Sequence, residues 1–498
     1  MSKKLKIIIS AVVILLIVAG IGFGAYKIFS NTPKNTYLLS EQKTAKKFQN
    51  YFNDRFDNEV KFQEKMKDNS YLSNMSLSAD ASKELIESMG LPKSVIDATK
   101  ITASIGHDDK NTKSLIKVNP TIADKEVGNF QWAADKNFQY FTAPLFKGDY
   151  KVKNSELVKQ YAEISGEDEE QLKSSGVTNQ SLNLNTLLGS TQTQQKDLDT
   201  IIKRYTDIVF DHLKDDNFKK EGKEEVKVDG ETEKANKVTL KLDRADTKKL
   251  TLAILKKAKD DKELQSLVKN QMSKDEYKKQ IEDALKKAED AKEKEFIEFT
   301  STIYEKHHEI LKRDITLTDK DNKKVKIVGN NSITDDKLAL DYKFTTDDGS
   351  FSLKGKSTGK DDNYKDKYDA TFDNNYNKST LTFENKEKQD GTKRHDKGTI
   401  TFDNAGTKQD FTFDNSLDTD VKNNQQKQKL TVGIKLQDEP INFILNSDTK
   451  LKADISFDTD KAKDIGELSS KELDKLDKEI SKNGEKLLES IIKKVTDD

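Results

Sequence analysis

Cysteine is absent from this chain of 498 residues. That excludes disulfides, thiol catalysis, Cys-ligated zinc and Cys-ligated iron–sulfur centres, and it leaves nothing for lipoprotein acylation. Histidine is scarce, and 5 residues offer little material for metal or general-base chemistry. Neither sign of charge is in excess. Lys+Arg total 87 and Asp+Glu 88, so the basic surplus of an ordinary nucleic-acid binder is missing. No Gly-rich phosphate loop occurs beyond the apolar N-terminal run. There is no G-x-S-x-G, and no catalytic carboxylate pair stands out from the 88 acids. The expectation is a non-enzyme with no catalytic residue, no metal and no cofactor.

The composition does contain material for a core. Aromatics make up 8%, with 23 Phe and 14 Tyr, although charged residues reach 35% and hydrophobic ones only 33%. Ile7 to Ala25 is an uncharged apolar run, preceded by Lys3, Lys4 and Lys6 and followed by Lys27. As a helix it would span about 28 Å, close to a bilayer core. The run is too long for a cleaved signal peptide. It predicts a single-pass transmembrane signal anchor over 7–29, including Ile7, Leu15, Gly20, Gly24 and Phe29. The leading lysines predict a cytoplasmic tail (1–6), with the bulk of the chain outside a cell membrane. Gly20 and Gly24 form a G-x-x-x-G pair, a face for helix-mediated homodimers.

Beyond the anchor the expected fold class is α+β, with large curved antiparallel meander sheets packed with amphipathic helices. A first unit covers 30–165. Ala45, Phe48, Phe52, Phe56 and Val60 recur at helical spacing. VGNFQWAADKNFQYFTAP reads as a hairpin, with Trp132 and Tyr140 on its two arms. Residues 166–199, rich in Ser, Asn, Thr and Gln, read as a polar connection. A second unit covers 200–466. It has a hairpin turning at Asp229-Gly230, helices over 244–290 capped by Asp243, and a meander over 295–458. The last segment, 467–498, is an amphipathic helix with a Ser469/Glu472 capping box.

Within the meander the period is two. One face collects Leu338, Leu340, Tyr342 and Phe344, and later Phe351, Phe372, Leu381 and Phe402. It continues to Phe443, Leu451, Ile455 and Phe457. Left bare, such a face exceeds the apolar patch that soluble proteins tolerate. Three covers are available: the helices, the sheet curling on itself, or a bound apolar ligand. Trp132, Tyr140, Tyr342, Phe344, Phe372 and Phe402 are the candidate lining of such a ligand site.

An amphipathic helix, strands carrying FQYFTAPLFKGDYKVKN and a capped helix resemble the half-barrel folds of lipoprotein carriers and mycobacterial-type lipoprotein ligand binders. GKEEVKVDGETEKANKVTLKL and ADTKKLTLAILKKAKDDKELQSL are similar to parts of uncharacterised, membrane-anchored extracytoplasmic proteins of Gram-positive bacteria. The resemblance implies a curved sheet with helices on its concave side, sometimes holding an acyl chain, and no catalytic residues. Here an anchor helix stands in place of a lipidated cysteine.

Other clusters read as turns. His307-His308-Glu309 has Lys312 where H-E-x-x-H needs histidine. Asp373, Asn375, Asn377, Ser379 and Glu384 match calcium-loop positions, but Lys378 replaces the required glycine. Two functions follow from these readings. The first is a membrane-anchored binding or envelope-assembly module holding a lipid-like ligand. The second is a scaffold with no cavity that recruits a protein partner at the cell surface.

Overall fold

The computed structural model describes Thr32 to Asp497, apart from residues 89, 91, 269–272, 375, 437 and 438. Ile7, Leu15, Gly20, Gly24 and Phe29 lie outside the described residues. Among those described, no helix is long and apolar enough to cross a membrane. The expected α+β fold built on an N-terminal transmembrane helix is corrected accordingly. Strand is the dominant element, with twenty-one strands among the described residues. Membrane attachment by one helix, the single-pass location with a cytoplasmic N-terminus, and the helix-mediated homodimer are corrected with it, because none has a described helix to rest on.

The chain forms two compact units, each drawn from distant segments. The first takes residues up to Asp57, Gln195–Lys386 and Thr399–Gln409. Its sheet begins with eight antiparallel strands in chain order: β1 (Phe218–Val228), β2 (Glu231–Leu242), β3 (Glu298–Lys306), β4 (Glu309–Thr318), β5 (Lys324–Thr334), β6 (Lys337–Thr346), β7 (Gly349–Lys360) and β8 (Asn363–Asp373). Each pairs with the next. Two-residue turns join several of them. Asp229 (φ 46°) and Gly230 (φ 91°) are both left-handed, the conformation that matches strand twist in a tight hairpin. His307 and His308 (φ 55° and 61°) make the same kind of turn, which accounts for that dyad. Asp361-Asp362 is likewise a turn, with φ of 49° and 59°.

Besides Lys262–Val268 and the later part of Leu184–His212, the helices that pack in this unit include three that bear on the site. These are α1 (Pro33–Arg55), α2 (Arg244–Lys259) and α3 (Lys274–Asp290). Asp243 caps α2 by accepting from the Asp246 N–H at 2.8 Å, as the capping pattern predicts. Leu250 and Ile254 of α2 enter one core with Val238, Leu240, Ile303 and Ile315. The sheet-facing stripe of α1 is only partly the one its phenylalanines mark: Phe48 packs on the sheet, but most of the stripe is polar or tyrosine. Phe52 is exposed, while Tyr37, Glu41, Thr44, Tyr51 and Arg55 are buried. Their 3–4 spacing is helical, but their polarity hid it from a hydrophobic pattern.

The second unit takes Asn58–Gln194, Glu387–Gly398 and Asp410–Asp498. In its antiparallel ladder the strands 407–420, 425–436, 439–451, 71–81, 100–108 and 113–122 lie in that spatial order. The expected strands at Ile455 and Phe457 are absent. The last long strand ends at Leu451, and Ile455 and Phe457 pack instead against Leu115, Ala133 and Tyr140. Part of the expected polar connection is helical: Glu169–Ser174, and the start of Leu184–His212. Asn183 accepts from the Asn185 and Thr186 N–H groups and starts the second of these helices. Its Ser, Thr and Gln content gave no apolar period to read. The terminal helix is Ser470–Asp497, and Glu472 accepts from the Ser469 N–H at 2.9 Å.

Candidate functional site

Register puts the apolar alternation of β5–β8 on one face. Ile327, Phe344, Phe351 and Phe372 lie opposite one another in a row across the four strands. Two residues along each strand come Gly329, Tyr342, Leu353 and Ala370, then Asn331, Leu340, Gly355 and Tyr368. The last row is Ile333, Leu338, Ser357 and Asp366. From Leu338 to Phe344 the face runs roughly 20 Å along β6.

The two ends of this face differ. At the Leu338 end α1 covers it, with Tyr51 and Phe48 packing on Ile333, Leu338 and Leu340. At the other end the cover is missing. Leu338 is 3% exposed, but Phe344 is 37% and Phe372 55% exposed. The Phe351 and Phe372 rings lie 4.8 Å apart. Leu381 and Phe402, also in this unit, are exposed as well. The sheet therefore carries a bare aromatic band continuous with its buried core.

Polar pins hold α1 in place. Arg55 grips Asp366 through Nη1–Oδ1 at 2.8 Å and Nη2–Oδ2 at 2.7 Å. The Ser357 hydroxyl and the Asn385 amide also donate to Asp366. The Arg55 guanidinium lies 4.4 Å from the Tyr364 ring centroid. Burial pushes the Asp366 carboxyl up, but Arg55 and the other donors outweigh it and hold its pKa below the ordinary carboxylate value. Further along α1, Arg313 makes a two-pronged bond to Glu41, with Nη2–Oε2 at 2.6 Å. Tyr37 donates to Ser301 at 2.7 Å. Asp261 is a second buried acid, bonded by Arg204 at 2.6 Å and by the Tyr205 hydroxyl at 3.0 Å. Burial raises its pKa too, yet these partners hold it low.

The two depressed acids predict how stability depends on pH. A carboxyl whose folded pKa lies below its unfolded value contributes fully above the unfolded pKa, and the contribution fades as pH falls toward the folded one. Urea unfolding of the chain should therefore show a midpoint that drops as pH falls below about 4. Asp366→Asn should flatten that drop. An unchanged profile in Asp366→Asn would assign the acid sensitivity to other groups.

Of the predicted lining residues, the structure brings Tyr342, Phe344 and Phe372 onto one face of β5–β8 and places Phe402 in the same unit. The Tyr342 hydroxyl is tied to Asn331 at 2.6 Å, so only its ring is available. Trp132 and Tyr140 belong to the second unit. They do not face each other either. Trp132 lies opposite Phe141 and Tyr140 opposite Ala133, so the two point to opposite faces. Trp132 donates to Gln139 at 2.8 Å, and the buried Tyr140 donates to Asp135 at 2.7 Å, as structural residues do. Phe351 belongs to the band, yet its place opposite both Phe344 and Phe372 emerges only from register.

The other clusters do not assemble. Among the described residues no group of three or more His, Asp or Glu could hold a metal ion. Glu309 pairs with Lys47 at 2.7 Å, and Asn377 and Ser379 bond to Asn404 at 2.8 and 2.9 Å. Asn375 lies outside the described residues.

Gly355 lies between Leu340 and Tyr368 on the covered part of the face. A Cβ there would sit 2.5 Å from the Tyr368 Cα and 2.7 Å from its Cδ1. Gly355→Ala should cost about 1–3 kcal/mol, because the strand itself must move. Thermal unfolding measures this, with the half-buried Ser352→Ala on the other face of β7 as the comparison.

No family model matches the chain, and no curated protein does. Several solved structures of outer membrane channels align with it. For DcaP of Acinetobacter baumannii the identity is 7%, covering 77% of this chain and 96% of that one, with a TM-score of 0.21. For a loop-deleted OmpT of Vibrio cholerae the identity is 6%, the coverages 77% and 98%, and the TM-score 0.20. For OccAB4 of Acinetobacter baumannii the identity is 6%, the coverages 77% and 98%, and the TM-score 0.23. TM-scores of this size fall short of a shared fold, so neither a channel nor its location carries over to this chain.

Proposed function

We propose that the first unit is a non-enzymatic binding module whose bare aromatic band takes an acyl-chain-like apolar ligand. The observation that carries this reading is the exposed Phe344 and Phe372 on either side of the partly buried Phe351, in a row continuous with a face that is otherwise packed. Isolated exposed apolar residues are ordinary in soluble proteins, but a contiguous aromatic patch marks a binding surface. The chemistry suits a hydrocarbon. The row offers rings and methylenes, and the nearest polar side-chain atom of the next row, the Tyr342 hydroxyl, is already bonded. Fully burying one such side chain is worth roughly 1.5–3 kcal/mol, so covering the exposed Phe344 and Phe372 with the rest of Phe351 supplies useful affinity without any polar anchor.

The test is displacement of 1-anilinonaphthalene-8-sulfonate by palmitate from the full chain. Wild type should bind the dye and release it to palmitate. Phe372→Asp, at an exposed position, should weaken palmitate binding by about tenfold, the equivalent of about 1.4 kcal/mol. Tyr376→Asp, at a position 98% exposed and outside the row, should change nothing. Palmitate affinity equal in wild type and Phe372→Asp would contradict the reading and turn the band over to a protein partner.

A further inference from the structure

A second site lies in the other unit, on chemistry opposite to that of the aromatic band. A trough of about 920 Å³ opens on its ladder. Two register rows alternate with the core positions and form its floor. Ser104, Asn74, Asp448, Lys427 and Asp418 lie opposite one another in the first row. Thr102, Ser76, Asn446, Lys429 and Ser416 form the second. Residues two apart on a strand share a face, so the floor is a single polar surface. Lys388 and Lys393 line its end.

The charges in the trough are unevenly committed. Asp418 already accepts from the Thr392 hydroxyl at 2.7 Å, and Asp448 accepts from the Gln425 amide at 2.7 Å. Asp390 is the third carboxylate of the lining. Lys388, Lys393, Lys427 and Lys429 have no ion-pair partner among the described residues. Lys388, Lys393, Arg394, Lys427 and Lys429 stand against Asp390, Asp418 and Asp448, so the lining is net positive and has ammonium groups to offer. Around them stand Ser76, Thr102, Ser104 and Asn446, which are bonded to one another or to neighbouring strands (Ser104 to Asn74 at 2.7 Å, Thr102 to the Asn119 carbonyl at 3.2 Å) and keep spare lone pairs and N–H groups for an oxygen-rich ligand. The lining holds no Phe, Tyr or Trp, and its one ring, His395, bonds Asp414 at 2.9 Å, so the trough offers no platform for stacked bases. Its volume matches that of a ligand site of ordinary size, at the large end of the range.

We infer that this trough binds an extended, polyhydroxylated anionic chain, such as a glycan bearing carboxylate or sulfate groups, through Lys388, Lys393, Lys427 and Lys429. The site is independent of the aromatic band and survives the failure of that reading.

The experiment titrates the full chain with fluorescently labelled polygalacturonate, dextran sulfate and unmodified dextran, read by anisotropy. Polygalacturonate or dextran sulfate should bind, and the stronger of the two identifies the anionic group. Unmodified dextran should not bind. Raising salt from about 0.05 to 0.5 M should weaken binding at least about tenfold, because the contacts are solvent-exposed charges. The double variant Lys427→Glu with Lys429→Glu should weaken it by about tenfold or more, as should Lys388→Glu with Lys393→Glu. Lys256→Glu with Lys257→Glu, in α2, removes the same charge elsewhere and should leave binding unchanged. Equal losses in the control and in the trough variants would reduce the effect to net charge and overturn the proposal. Binding of unmodified dextran as tight as that of the polyanions would overturn it, and so would failure of both polyanions to bind.

Discussion

Asp366→Ala is expected to destabilise the covered end of the first unit's sheet by about 3–5 kcal/mol, the usual cost of removing one partner from a buried ion pair. The reason is the charge left behind. Arg55 is buried, and its fork points at both Asp366 oxygens. Without the carboxylate, Ser357 and Asn385 also lose their acceptor at this site. Hydrogen exchange read by mass spectrometry is the suitable measurement, because a chain of two units need not unfold in one step. Protection should fall in α1 and in β6–β8. Replacing both partners with apolar residues, Arg55→Met with Asp366→Leu, should recover most of the loss, since the pair itself contributes little beyond its own desolvation. A single Asp366→Ala variant with wild-type protection would show that α1 is held by something other than this pin.

Glu41→Ala should have an effect of the same size at the other end of α1. Arg313 bonds both Glu41 oxygens, and both residues are largely buried between helix and sheet. Tyr37 and Leu38 also anchor this stretch in the core, and Tyr37 bonds Ser301, but neither can neutralise the Arg313 guanidinium. The neighbours of Glu41 on the buried stripe are Tyr37, Ser40 and Thr44, and the Thr44 hydroxyl accepts from the Ile310 N–H at 2.8 Å. About 3–5 kcal/mol again follows from the stranded guanidinium. Glu41→Gln should cost less, because it keeps an oxygen acceptor. Loss of protection confined to the N-terminal half of α1 would separate this pin from Arg55–Asp366. Equal effects of Glu41→Gln and Glu41→Ala would show that charge, and not hydrogen bonding, holds the helix.

These pins also explain what the sequence could convey. Alternation made the face legible: Leu338, Leu340, Tyr342 and Phe344 are on one side, and register confirms it residue by residue. The turns were legible for the same local reason, since Asp229-Gly230 can take φ values that other pairs resist. The seat of α1 was not legible. A hydrophobic pattern looks for apolar stripes, and here Glu41 and Arg55 point inward while Phe52 points out. Trp132 and Tyr140 do lie on the two arms of a hairpin, but which face each takes depends on register, and a single residue moves a side chain to the other face. The apolar N-terminal run supported an anchor and a location on composition alone, and no described helix provides either. Which part of the dry face stays bare was also beyond the sequence, because that depends on α1 packing on the row of Ile333, Leu338, Ser357 and Asp366, at the far end of the strands from the phenylalanines.

The most direct test of the central claim is to find where an acyl chain touches the protein. A palmitate analogue carrying a photoactivatable diazirine would be bound to the full chain, irradiated, and its adducts mapped by peptide mass spectrometry. Adducts concentrated on 344–351 and 372, and lost on competition with unlabelled palmitate, are the predicted result. Labelling spread over both units, or not displaced by palmitate, would contradict a binding site on the bare aromatic band.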